Sequence, residues 1–201
     1  MERAARMSHT AVDGQLIEAC RQGDRDAFRT LFERYKDRVF SIALQFTANE
    51  ADARDITQQV FLKLLTRIDQ YDESAAFSTW LYRVVTNACI DAQRRSRRLT
   101  FVSESADDAL PDLPDPQPTR EQTLVDGVER SSVQTAVRSL APKLRMAVLL
   151  RYYEELSYEE MATTLGVSKG TVASRLNRGH RLLAQKLAHL KHAVADGGDP
   201  C

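Results

Sequence analysis

From Ala27 onward, Phe28, Leu31, Phe32, Tyr35, Val39, Ile42 and Phe46 recur at steps of three and four, which predicts an amphipathic helix. Asn49 is placed to cap a second helix, whose apolar stripe is Ala53, Ile56, Val60, Phe61, Leu64, Leu65 and Ile68. A third is predicted from about Ser78 to Arg97, with Leu81, Val84, Val85, Ala88, Cys89 and Ala92 facing inward. After a gap, Leu124, Val125, Val128, Val133, Ala136, Val137 and Leu140 mark another helix. Pro142 suits the first position of the next, which is expected to run to about Glu155. No stretch of useful length alternates with period two. The pattern predicts an all-α chain made of two small helical bundles.

The gap itself is a linker by composition. Thr100 to Thr119 reads TFVSESADDALPDLPDPQPT and holds four of the six prolines. Proline removes a backbone donor and disfavours helix at the preceding residue, so an extended, largely unstructured, flexible tether is expected here.

The most specific local pattern lies in the second bundle, in LSYEEMATTLGVSKGTVASRLNRGHRLL (Leu156 to Leu183). Ser157 followed by Glu160 is a capping box, and Gly166 supplies the left-handed residue that ends a helix. Ser168 caps the next helix, whose inward residues are Val172, Leu176, Leu183 and Leu187. Two helices joined by so tight a glycine turn make a helix-turn-helix. The outward positions Lys169, Thr171, Ser174, Arg175, Asn177, Arg178 and Arg181 are types that read base edges and grip phosphates in a major groove. Ala173 among them offers only an apolar contact. Gly179 costs the helix about 1 kcal/mol against Ala, or admits a close neighbour.

The third helix of the first bundle has a different face. Trp80, Arg83, Asn87, Asp91, Arg94 and Arg98 follow by threes and fours. An indole, an amide and guanidinium groups on one surface suit unstacked bases and a single-stranded backbone. Trp80 also reads as a core residue, and Arg94, Arg95, Arg97 and Arg98 also read as an ordinary basic helix C-terminus. Asp91 is expected to pair with Arg94 or Arg95.

Charge supports the nucleic-acid reading only when taken locally. The 28 basic and 28 acidic side chains cancel, yet residues 83–98 carry a net +4, residues 99–119 a net −5, and residues 157–192 a net +4. Two cationic segments flank an anionic connector, and binding follows the local field rather than the sum.

Other chemistries find little support. The longest apolar run, Met146 to Leu150, is far short of the ~20 residues of a membrane span, and the N-terminus has no signal-peptide core. No membrane insertion is expected, and the chain reads as cytoplasmic. Cys20, Cys89 and Cys201 are too few and too scattered for a disulfide framework or zinc ribbon. His189 and His192 have no acidic or thiol ligand beside them, so no metal site is expected. GVSKGT is not a phosphate-binding loop, because Gly170 is followed by Thr171 rather than Lys. Neither an enzyme activity nor a cofactor is expected.

Two stretches in the first bundle, DARDITQQVFLKLL (Asp52 to Leu65) and FSTWLYRVVTNACIDAQRRSRR (Phe77 to Arg98), resemble region two of bacterial sigma factors. The segment from Leu140 to Leu187 resembles their region four. With only a short acidic linker between them, the chain is similar to the extracytoplasmic-function group. The resemblance divides the chain into an extension (1–14), region two (15–98), a linker (99–119), region four (120–192) and a tail (193–201). It implies a non-enzymatic factor that carries RNA polymerase core enzyme to promoter DNA.

By that resemblance the Asp52–Phe61 helix docks on polymerase, with Asp52, Asp55, Gln58, Gln59 and Phe61 as contacts. Trp80, Arg83, Asn87, Arg94, Arg95, Arg97 and Arg98 would hold the melted −10 element, Asn87 near a flipped base. The Lys169–Arg181 helix would enter the major groove at the −35 element, and the acidic linker would thread the RNA channel. An anti-sigma factor is implied as a further partner. A free-standing helix-turn-helix regulator is the alternative, although it leaves the first bundle without a task. The extension and the tail have no assignable role, and Met7 competes with Met1 as the start.

Overall fold

The computed structural model describes residues 14–73, 75–104 and 132–188, with side chains described as far as Ser96 in the middle stretch. Within these residues the chain is all-α. Helix α1 covers 14–21, α2 Arg25–Thr47, α3 Glu50–Arg67 and α4 Phe77–Glu104. A single 3-10 turn, Ile68–Gln70, follows α3. The second module contributes α5 (132–138), α6 (Pro142–Tyr152), α7 (Tyr158–Leu165) and α8 (Lys169–Lys186).

Each boundary has a local cause. The Asp24 carboxylate accepts from the Asp26 and Ala27 N–H groups and opens α2. Ala48, in the left-handed region at φ 60°, closes it by donating to the Leu44 carbonyl. Asn49 then caps α3 through the Asp52 N–H at 3.1 Å. Pro142 sits in the first turn of α6, where its missing donor is not needed.

Helix α1 has no counterpart among the predicted elements. Ile17 and Cys20, three apart, seat it in the core and were the available signal. Helix α4 also runs further than expected, through Glu104, so residues 100–104 are helical rather than extended. The first proline comes only at Pro111, so no proline interrupts the ladder over residues 77–104. The rest of the predicted linker and the start of the Leu124–Leu140 helix lie outside the described residues.

The first module is built on α2, α3 and α4. Leu31, Ile42, Ile56, Leu64 and Val85 are all but inaccessible. Aromatic rings fill the end of this core. Phe32 meets Phe61 edge-on with centroids 4.7 Å apart, and Tyr35 and Tyr71 meet Phe77 at 5.4 and 5.5 Å. In the second module α6 is buried all round over its middle, every residue from Leu144 to Leu150 being buried, Arg145 included. A helix with no solvated face needs neighbours on every side. Helices α7 and α8 supply one side, and α2 and α4 of the first module supply another.

The two bundles are therefore docked on each other. Met146, Leu150, Leu156, Met161 and Val172 belong to the same continuous core as Phe46 and Val85. Polar ties reinforce the seam. The Arg145 guanidinium is buried over the Phe46 ring, donates to the Phe46 carbonyl at 2.6 Å, and also bonds the Arg138 carbonyl.

Candidate nucleic-acid and partner interfaces

Helices α7 and α8 form the predicted helix-turn-helix. The Ser157 N–H donates to the Glu160 carboxylate at 2.8 Å, while the Glu160 N–H donates to the Ser157 hydroxyl at 3.2 Å. Gly166 adopts φ 62°, and its N–H reaches the Ala162 and Thr163 carbonyls, closing α7. Such a φ is open to glycine at no steric cost. The Ser168 hydroxyl accepts from the Thr171 N–H at 3.2 Å and starts α8 two residues later.

This turn presents α8 as a free ridge. Val172 and Leu176 are buried, while Lys169, Ser174, Asn177, Arg178 and Arg181 are exposed, with Thr171 and Arg175 half-exposed. An 18-residue helix is ~27 Å long, and a B-form major groove admits one helix. Three of the candidates are partly occupied at home. The Lys169 ammonium pairs with Glu159, holding that carboxyl below its usual range. The Ser174 hydroxyl donates to the Thr171 carbonyl at 3.0 Å, and the Thr171 and Ser168 hydroxyls are hydrogen-bonded to each other.

Gly179 explains itself here. It is buried, and a Cβ added at that position would lie 3.1 Å from the Val148 Cγ2. The close approach of α8 to α6 is the reason for a helix-weakening residue.

On α4, Arg83, Asn87, Asp91 and Arg94 are exposed along one ridge. Asp91 pairs with Arg94 at 3.8 Å. Arg95, also exposed, donates instead to the Gln59 amide oxygen at 3.0 Å, tying α4 to α3. Trp80 is half-buried, stacked on Phe77 at 5.7 Å and tilted against Tyr71 at 5.9 Å. It is thus chiefly a wall of the aromatic core that stays partly exposed. Arg97 and Arg98 lie on the α4 backbone, but their side chains are outside the described ones.

On α3, Asp52, Asp55 and Gln58 are exposed and Gln59 is half-buried. Phe61, also expected as a contact, is the least accessible of the set. It is 5% exposed and packs edge-on to Phe32, so it helps seat the helix. Leu65 is a correction to the expected apolar stripe. Expected to point inward, it is 55% exposed, as is Leu62, because the inward ladder passes through Leu64 and position 65 lies ~100° further round the helix. Leu62 and Leu65 rim an apolar groove of about 380 Å³ floored by Phe28, Phe32, Phe40 and Phe61.

Sequence reasoning missed the seam between the modules. Glu154 is 4% exposed and accepts from the Arg38 Nε and the Tyr82 hydroxyl, each at 2.6 Å. Burial, together with donation to this carboxylate, pushes the Tyr82 phenol well above its ordinary range. The apolar run in α6 was the one signal that a further surface had to cover it.

Among the described residues no group of His, Cys, Asp or Glu is placed to hold a metal ion, and no helix is long and apolar enough to cross a membrane. His189, His192 and Cys201 lie outside them. His180 is exposed, its Nε2 2.8 Å from the Tyr152 hydroxyl.

Comparison with known proteins shows the family. Residues 31–99 match the family model for Sigma-70 region 2, and residues 130–183 match that for Sigma-70, region 4. The chain is 37% identical to the ECF RNA polymerase sigma factor SigE of Mycolicibacterium smegmatis, over 81% of its own length and 62% of that protein's. It is 31% identical to the ECF RNA polymerase sigma factor SigW of Bacillus subtilis, over 87% of its length and 96% of that protein's. The ECF RNA polymerase sigma-E factor of Escherichia coli is also 31% identical, over 92% and 98%.

The fold resembles two solved structures. One is the sigma factor RpoE from Bartonella quintana, solved with the anti-sigma factor NepR (TM-score 0.64, 20% identity, 80% of this chain and 96% of that one). The other is CnrH, solved with the cytosolic domain of CnrY (TM-score 0.60, 21% identity, 92% and 97%). With both conserved regions in order, and the Bacillus subtilis and Escherichia coli relatives matched along nearly their whole length, the chain belongs to the extracytoplasmic-function group of the sigma-70 family.

Proposed function

We propose that this chain is a transcription initiation factor that binds RNA polymerase core enzyme and directs it to specific promoters. Helix α8 would read the −35 element as duplex, through Lys169, Thr171, Ser174, Arg175, Asn177, Arg178 and Arg181. Helix α4 would hold the −10 element as melted strand, through Arg83, Asn87, Arg94, Arg95, Arg97 and Arg98, with the half-buried Trp80. Polymerase would be met on α3 by Asp52, Asp55, Gln58 and Gln59. The factor turns over no substrate. Its melting energy comes from capture of unstacked bases, each stack contributing ~1–3 kcal/mol.

The observation that carries this reading is the pairing of two exposed faces of different chemistry in one chain of this family: a cationic helix-turn-helix ridge on α8 and an amide-and-guanidinium ridge on α4. Each head binds weakly alone, and mounting both on polymerase raises the effective concentration of the second contact. By analogy with the complexes named above, an anti-sigma factor is proposed as the regulatory partner.

Mapping of transcripts made by core polymerase with and without the chain tests the reading. New, discrete start sites that require the chain are expected. Tight binding to duplex DNA by the chain alone, with no effect on start-site choice, would favour a free-standing regulator instead.

A further inference from the structure

The leading tip of α8 carries a charge pair that the promoter reading leaves without a task. Lys169 is the first residue of that helix, and its ammonium is paired with the carboxylate of Glu159, the second residue of α7 and ten positions earlier in the chain. The two side chains are 62% and 64% exposed, so packing does not require them to meet. An exposed pair of this kind contributes little to folding. The hydrogen bond from Lys169 holds the Glu159 carboxyl below its usual range, so the carboxylate is charged at neutral pH.

Its position matters for DNA. In a helix-turn-helix the N-terminal residues of the second helix enter the major groove, while the first helix crosses the phosphate backbone. Glu159 and Lys169 stand together at the corner where those two helices meet, ahead of Thr171 and Ser174. A lysine that neutralises a phosphate releases counterions, and this sequence-independent gain supplies nearly all binding to arbitrary duplex. Within the pair the two charges cancel, and the carboxylate itself repels an approaching phosphate. Among the described residues Lys169 alone of the α8 ridge cations carries an ion pair, Arg175, Arg178 and Arg181 having no acid within reach.

We propose that Glu159 is a charge brake on the −35 surface: by pairing with Lys169 it holds down the affinity of α8 for duplex of any sequence and leaves recognition to the contacts further along the helix. This rests on the functional reading above. Non-promoter duplex greatly outnumbers promoters, so a weaker sequence-independent grip shortens the time the factor is held at wrong sites.

Binding of the reconstituted holoenzyme to a mapped promoter, and to the same duplex with its −35 element scrambled, tests this over a series of salt concentrations. Glu159→Gln keeps the length of the side chain and removes its charge. It is expected to raise affinity for both duplexes several-fold, and to steepen the dependence of log K on log salt by about 0.9, the value of one added phosphate contact. The factor lost on Lys169→Ala should be several-fold larger in the Glu159→Gln background than in the wild-type chain. Arg178 lies nine positions beyond Lys169, ~13 Å along the helix axis and outside the ~8 Å screening length at physiological salt. Arg178→Ala is therefore expected to cost the same factor in both backgrounds.

Unchanged affinity and salt dependence in Glu159→Gln would overturn the proposal and leave the pair as a tie between α7 and α8. Equal losses from Lys169→Ala in the two backgrounds would overturn it as well. So would a loss of affinity confined to the promoter duplex, which would make Glu159 a base reader accepting from a cytosine amino group. A wild-type holoenzyme that does not distinguish the two duplexes, together with no effect of Arg178→Ala, would instead remove the functional reading, and the brake would fall with it whatever Glu159→Gln did.

Discussion

Gly179 of α8 faces Val148 of α6 so closely that a Cβ at 179 would stand 3.1 Å from the valine methyl. Helix propensity favours Ala here by about 1 kcal/mol, whereas overpacking a core contact costs ~1–3 kcal/mol. Gly179→Ala alone is therefore expected to be neutral to mildly destabilising, and Gly179→Leu to cost more than 1 kcal/mol. In a Val148→Ala background the clash is relieved, and Gly179→Ala should become stabilising by up to ~1 kcal/mol. Urea unfolding of the four chains in this double-mutant cycle checks the sign change.

Tyr82 makes the stability of the chain sensitive to alkaline pH. Its folded pKa is raised by burial first and then by the hydrogen bond to Glu154. The neutral phenol's contribution is complete below the unfolded value of ~10 and is lost as pH rises through and beyond it. Wild type should lose stability between pH 8 and pH 10.5 more steeply than Tyr82→Phe. At neutral pH the same variant should be the weaker of the two by about 1–3 kcal/mol. Denaturation midpoints at the two pH values measure both.

Cys89 is fully enclosed in the first module, and burial pushes its thiol up to about 12. The thiolate is the reactive species. Alkylation at pH 8 should leave Cys89 unmodified in the folded chain and label it in denaturant. Peptide mass spectrometry reads the difference.

Arg178 is exposed on the α8 ridge, and the proposed function makes it a DNA contact. Arg178→Ala should weaken binding of the reconstituted holoenzyme to duplex −35 sequence by ~1–3 kcal/mol. Competition between promoter variants distinguishes a base contact, which relaxes preference, from a phosphate contact, which lowers all affinities together.

Asn87 and the α3 carboxylates should separate by step. Asn87→Ala is expected to impair open-complex formation, read by permanganate footprinting, while leaving polymerase capture intact. Charge reversal at Asp52 and Asp55, both exposed, should instead cut recovery of core enzyme in a pull-down. The Gln59–Arg95 hydrogen bond ties the two surfaces, so Gln59→Ala should alter both readouts.

Much of this molecule was legible from residues near one another in the chain. Asn49, Ser157, Glu160, Gly166 and Ser168 act on backbone groups within four positions, so their roles as caps and turns could be read directly. The outward ridge of α8 followed from its apolar spacing alone. What needed the folded chain was every property set by a distant neighbour. Phe61 is inward because Phe32 is there to receive it, and Trp80 is a wall because Tyr71 and Phe77 back it. Glu154 and Arg145 look like ordinary helix charges until α2 and α4 close over them. Caps and periodicity depend on local hydrogen bonds and helical pitch. Burial and charge pairing depend on which surfaces meet: the apolar run of α6 calls for a covering surface, but no local pattern says that α2 and α4 supply it.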